Sequence, residues 1–352
     1  MRVGLLGTGR IGSFHARTLA GHPAVDELLL ADHDPAAAHA TADRLRGATA
    51  SVVAVDRVDT VFTSGVDAVV IATATSAHAG LIIEAARLGL PVYCEKPIAT
   101  DVPGTLAALR EVERRGVPLQ IGFQRRFDAG YTAAREAVRS GALGFLHTVR
   151  AVTADPAPPP AGYLPASGGL FRDCAVHDFD AVRWVTGREI REVRAFGANR
   201  GADFFAEAGD VDTAIAALTL DDGALVTCHA TRYNGAGYDV RMELAGSRDQ
   251  LVAGLGPRTP ATSADPDSPG APADPWPDFL TRFQPAYVAE MAAFTDVVRG
   301  IRPSPCTGRD ALEALLVAEA CELSRRTGET VDVPGLRRCL FGADPAGQET
   351  AR

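Results

Sequence analysis

Several things are missing from this chain of 352 residues, and each absence removes a class of function. No apolar run reaches the roughly 18 residues that a membrane helix needs. The opening "MRVGLLGTGR" enters a strand-like run at once, with no basic-then-apolar leader, so neither membrane insertion nor export is expected. The six cysteines, at 94, 174, 228, 306, 321 and 339, form no CxxC pair and show no short regular spacing. That pattern argues against a metal site and a disulfide framework and suits reduced thiols in the cytoplasm. A basic excess is also missing: the net charge is -9, which makes nucleic acid and anionic membranes poor partners and leaves a small molecule as the expected one. No internal repeat is evident.

What is present is a globular composition, 46% apolar and 22% charged, in a chain long enough for two domains. Up to residue 123, strand-like runs ("RVGLLG", "ELLLAD", "DAVVIAT", "PVYCE", "PLQIGF") alternate with Ala-rich helical stretches. That alternation predicts an α/β fold with a parallel, doubly wound Rossmann sheet, whose site lies beyond the carboxyl ends of its strands. Residues 124–335 change texture. A helix, a strand and a proline-rich loop lead to "GGLFRDCAVHDFDAVRWVTG", then to several strand-like segments without helices between them. With Asp-Asp-Gly at 221–223 as a hairpin signal, this block reads as an α/β domain with a large, mainly antiparallel open sheet. Residues 256–278 hold too many Pro, Asp and Ser for a core element and predict a surface excursion. Two amphipathic helices, which can pack back on the first domain, and a tail, 336–352, close the chain.

"GLLGTGRIGSFHA" carries Gly7-x-Gly9-x-x-Gly12 between a strand and a helix, with Arg10 and Ile11 in the same turn. Asp32 ends the second strand, 20 residues after Gly12, where an acidic side chain meets the adenosine ribose hydroxyls of a dinucleotide. A carboxylate there repels a 2′-phosphate, and no Arg or Lys follows it, so NAD is preferred over NADP. Lys96 follows the strand "PVYCE" at the edge where the nicotinamide half of the cofactor belongs, and Pro97 biases its backbone towards an extended form. Asp173 and His177, four residues apart in a helical stretch, share one face, so the carboxylate can orient the imidazole and raise its pKa. These groups suit a dehydrogenase of an alcohol: His177 as general base, Lys96 stabilising charge on the oxygen, and hydride passing to nicotinamide, with no metal.

"GTGRIGSFHA", "CEKPIA", "IGFQRRFDAGY", "SGGLFRDCAVHDFD", "GDVDTAIAALTLDDGAL" and "GRDALEALLVAEACELS" together resemble the glucose–fructose oxidoreductase / inositol dehydrogenase / rhizopine catabolism (Gfo/Idh/MocA) oxidoreductases, in the family's order and over nearly the whole chain. The resemblance implies a catalytic set of Lys96, Asp173 and His177 in the inositol dehydrogenase branch, and a homodimer or homotetramer formed through the C-terminal sheet. It also implies cofactor contacts from Thr73, His78, Glu95 and Lys96. Gln124, Arg125, Asp155 and Tyr238, with Asp173 and His177, become candidates for a cyclitol's hydroxyls. Asp155 stands where some inositol dehydrogenases have Asn, which keeps an aminocyclitol open beside a myo-inositol-like cyclitol or a pyranose sugar. A non-catalytic NAD(H)-binding regulator is the rival class, and this chain retains both the lysine and the histidine that such a regulator is expected to lose.

Overall fold

The computed structural model describes residues 1–341 except residue 269. The chain forms two compact units. Met1–Phe127 and Phe283–Leu312 make the first; Asp128–Arg282 and the chain from Glu313 make the second. The first unit thus runs slightly past the expected boundary at 123 and includes a segment from near the end of the chain.

Six strands form the sheet of the first unit: β1 (Arg2–Leu6), β2 (Glu27–Ala31), β3 (Ser51–Ala54), β4 (Ala68–Ile71), β5 (Val92–Glu95) and β6 (Leu119–Gly122). Their order is β3-β2-β1-β4-β5-β6 and every pairing is parallel, so the strand order reverses beside β1 and β4, where such sheets bind dinucleotides. Central strands read as unbroken apolar runs because helices cover both faces. Val3, Leu5, Leu28, Leu30 and Val70 share one core with Leu19 of the helix Arg10–Ala20 and with Met291 and Phe294 of the helix Gln284–Val298. That core is the physical reason the late segment belongs to this unit.

Seven strands form the second sheet: β7 (Leu146–Ala154), β8 (Ile190–Ala198), β9 (Thr213–Leu220), β10 (Leu225–Thr231), β11 (Asp239–Gly246), β12 (Gln250–Ala253) and β13 (Val331–Asp332). Their order is β12-β11-β7-β10-β9-β8-β13. Five of the six pairings are antiparallel, and β7 with β10 is parallel. The hairpin expected at 221–223 joins β9 to β10, with Gly223 at φ 88°. The helix Val176–Thr186 lies on this sheet's buried side, where Thr153 of β7 donates to the buried Asp178 at 2.7 Å.

The excursion at 256–278 is anchored at both ends of its course. Arg258 stacks 4.0 Å above the ring of Trp276, and the Trp276 carbonyl accepts from the backbone N–H of Tyr238 at 2.7 Å. Of the expected tail, residues 336–341 complete the helix Val333–Phe341, and 342–352 lie outside the described residues.

Candidate functional site

In the first unit the glycine motif fits a dinucleotide. Gly7 takes φ 93° in a tight turn after β1. A Cβ on Gly12 would stand 1.8 Å from the Gly7 carbonyl oxygen, so only glycine lets the helix Arg10–Ala20 start against that strand. A Cβ on Gly9 would meet nothing within 4 Å, and no side chain caps the helix's first turn. Arg10 and Ile11 lie in that first turn, beside amides that suit a pyrophosphate. Asp32 lies just beyond β2. Its Oδ2 accepts from the Thr8 N–H at 2.5 Å and the Thr8 hydroxyl at 2.9 Å, and its Oδ1 accepts from the Asp34 N–H at 3.0 Å. Burial alone would raise this carboxyl's pKa; these hydrogen bonds outweigh it and hold the group below its ordinary value, as an ionised acceptor.

Around Lys96 the structure adds partners that sequence reasoning missed. Glu95, expected to contact the cofactor, turns its carboxylate inward: Oε1 lies 2.7 Å from His15 Nε2 and accepts from the Tyr93 hydroxyl at 2.9 Å. Tyr93 also lies 3.0 Å from Oε2 of the fully buried Glu290, so its one proton serves two carboxylates. Burial would raise Glu95, but the hydrogen bond and charge of His15, then Tyr93 and Lys96, hold it below the ordinary range. Lys96 is half-buried, and its peptide bond to Pro97 is cis. His78 is 1% exposed, with Nδ1 2.7 Å from the Pro97 carbonyl and Nε2 3.1 Å from the Thr73 carbonyl. Its ring therefore braces the turns after β4 and β5. Gln124 is 3% exposed and its Oε1 is buried with no hydrogen-bond partner among the described residues. Arg125, beside it in the short helix Gln124–Phe127, is 1% exposed. Both belong to the first unit.

The second unit brings Asp155 and Asp173 together through a residue the sequence did not single out. Because β7 and β10 run parallel in the register Ala154↔Thr231, Asp155 and Arg232 leave the same end of the sheet side by side. Arg232 is 4% exposed. Its Nη1 lies 2.9 Å from Asp155 Oδ2 and 2.7 Å from Cys174 Sγ, and its Nη2 donates to Asp173 Oδ2 at 2.6 Å. Tyr163 donates to the other Asp173 oxygen at 3.0 Å. Burial opposes the charge of Arg232, yet Cys174, Asp173 and Asp155 raise its pKa well above normal. The Tyr163 hydroxyl is likewise pushed up, by burial and then by Asp173, and remains a donor.

Asp173 stands in a π-helical turn, Phe171–Ala175, that runs directly into the helix Val176–Thr186, whose first turn carries the half-buried His177. An uninterrupted α-helix was expected here. The wider turn adds a residue to the backbone ladder next to both side chains, a distortion common at functional sites. Tyr238, the residue before β11, is 5% exposed. "ATRYNGAGYDVR" held the signal for Arg232, an arginine directly after an apolar strand, but its partners lie far away in sequence.

Comparison with known proteins follows the same division. A family model described as an oxidoreductase family with an NAD-binding Rossmann fold matches residues 1–123, and the GFO/IDH/MocA C-terminal domain model matches 131–252. A myo-inositol dehydrogenase of Streptomyces leeuwenhoekii is 38% identical over 95% of this chain and all of its own length. A crystal structure of a myo-inositol dehydrogenase from Corynebacterium glutamicum superposes with TM-score 0.85 at 34% identity, covering 94% of this chain and 98% of that one. One of a scyllo-inositol dehydrogenase from Lactobacillus casei, with bound NAD(H) and scyllo-inositol, gives TM-score 0.83 at 28% identity, covering 95% and 99%.

Proposed function

Since the chain belongs to the Gfo/Idh/MocA oxidoreductases and is an NAD-dependent dehydrogenase, we propose that it oxidises a ring secondary alcohol of a cyclitol to the ketone. The observation that carries the reading is the Asp173 carboxylate, held on both oxygens by Tyr163 and Arg232 one turn before His177, in a chain so similar to inositol dehydrogenases. In this scheme His177 takes the hydroxyl proton and Asp173 keeps its fixed place beside it. Lys96 stabilises the negative charge that develops on the oxygen. NAD, when bound, supplies the hydride acceptor. Gln124, Arg125, Asp155 and Tyr238 are assigned to the polyol's side of the site. Asp155 already has a guanidinium partner, which favours an uncharged polyol over an aminocyclitol.

The test is Lys96→Ala, followed by NADH formation on a panel of inositols and aldoses. A fall in kcat of about 100-fold or more is expected with myo-inositol. Near-normal turnover overturns the role of Lys96, and a strong preference for glucose overturns the cyclitol assignment.

We further propose a homo-oligomer packed through the second sheet. Phe196 and Ile215, opposite each other on β8 and β9, are 58% and 51% exposed, an apolar pair on the open face. The six cysteines form no disulfide, and only Cys339 is exposed, which supports a reducing, cytoplasmic setting. Among the described residues no helix is long and apolar enough to cross a membrane.

A further inference from the structure

Asp155 and Asp173 stand on separate segments, and one side chain answers both. Arg232 reaches Asp155 through Nη1 at 2.9 Å and Asp173 through Nη2 at 2.6 Å, spending the two ends of its fork on different carboxylates. It is nearly inaccessible, and its Nε is buried with no hydrogen-bond partner among the described residues. A surface ion pair would be screened and replaceable, whereas a pair buried to this depth fixes both position and local charge. Two carboxylates with one guanidinium carry a single net negative charge. Without the guanidinium they carry two, beside His177 and in the segments assigned to the polyol.

We propose that Arg232 is a positioning and specificity-determining residue: it fixes the Asp173 carboxylate one turn before His177 and cancels the charge that would otherwise draw a protonated amine, so the site selects uncharged polyols. This rests on the polyol reading given above. The two effects separate by chemistry. Position depends on the planar fork, which lysine lacks; cancellation depends only on a positive charge, which lysine keeps.

The experiment compares wild type, Arg232→Met, Arg232→Lys and Asp155→Asn. Each is given NAD with myo-inositol, and with the analogue in which one ring hydroxyl is replaced by an ammonium group. In Arg232→Met, kcat/KM for myo-inositol falls about 100-fold, as when one partner of a buried pair is truncated. The ratio of amine to neutral substrate rises about 30-fold, the order expected for one uncompensated charge a few ångströms from the ligand. Arg232→Lys loses kcat but holds the ratio near wild type. Asp155→Asn, which leaves Arg232 balancing one carboxylate, moves the ratio the opposite way. An unchanged ratio in both Arg232→Met and Asp155→Asn overturns the inference, as does Arg232→Lys shifting the ratio like methionine. If Arg232→Met does not fold, the lysine and asparagine variants still decide. Wild-type protein that turns over no polyol refutes the substrate assignment alone. The ratio is then read as binding of both ligands to NADH-loaded protein by quenching of NADH fluorescence, and equal ratios or no binding overturn the role of Arg232.

Discussion

Replacing Tyr93 with Phe isolates one hydroxyl in the first unit. The ring stays, and so do its edge-on contact with His15 at 5.3 Å and its tilted contact with Phe294 at 5.8 Å. A Cβ on Gly122 would lie 2.5 Å from the Tyr93 oxygen, so the atom removed sits against backbone and leaves a small void. What is lost is a donor within reach of two carboxylates, Glu95 at 2.9 Å and Glu290 at 3.0 Å. A hydrogen bond to a charged acceptor contributes about 1.5–3 kcal/mol, and Glu95 keeps His15 as a partner, so a loss near 2–3 kcal/mol is expected. For a unit of this size that lowers the midpoint of thermal unfolding by roughly 4–10 °C. Calorimetry across pH separates the causes. The folded pKa of Glu95 lies below its unfolded value, so the stability linked to its ionised form is fully present above the ordinary glutamate pKa and is lost as pH falls through the folded value. The deficit of Tyr93→Phe is therefore constant above about pH 5 and shrinks below about pH 4. A deficit under about 0.5 kcal/mol at neutral pH, or one that grows in acid, refutes the reasoning.

Two further outcomes follow from the same geometry. Asp32→Asn removes the charge that repels a 2′-phosphate while keeping an acceptor for Thr8; allowing for solvent screening, the NADP-to-NAD ratio of kcat/KM rises about 30-fold, and an unchanged ratio in steady-state kinetics places discrimination elsewhere. Ile215→Asp puts a charge on the open face of the second sheet, and sedimentation equilibrium should show dissociation to smaller species; an unchanged mass rules that face out as the interface.

Legibility in the sequence tracked the range of the interaction. The strands of the first unit, β3 excepted, were readable because each is a short apolar run bounded by a turn. The tight turn at Gly7, the close approach at Gly12 and the place of Asp32 at the end of β2 were readable because they lie within one local stretch. The His15–Glu95 and Tyr93–Glu290 links were not, since each joins residues distant in the chain. The parallel pairing of β7 with β10 was hidden for the same reason, and with it Arg232. The π-helical turn at Asp173 left no periodicity that five residues could display.

That parallel pairing also bears on when the site comes into being. Parallel neighbours need a crossover, and here it runs from Asp155 to Ala224, carrying Tyr163, Asp173, Cys174 and His177 with it. The closing residue, Arg232, arrives only with the strand that ends the crossover. Non-local pairing forms slowly, because loop closure must be met before its contacts are gained. A nascent chain that has emerged only as far as β9 therefore holds its two aspartates without their common cation, and the Asp155–Arg232–Asp173 network closes only once β10 lies beside β7.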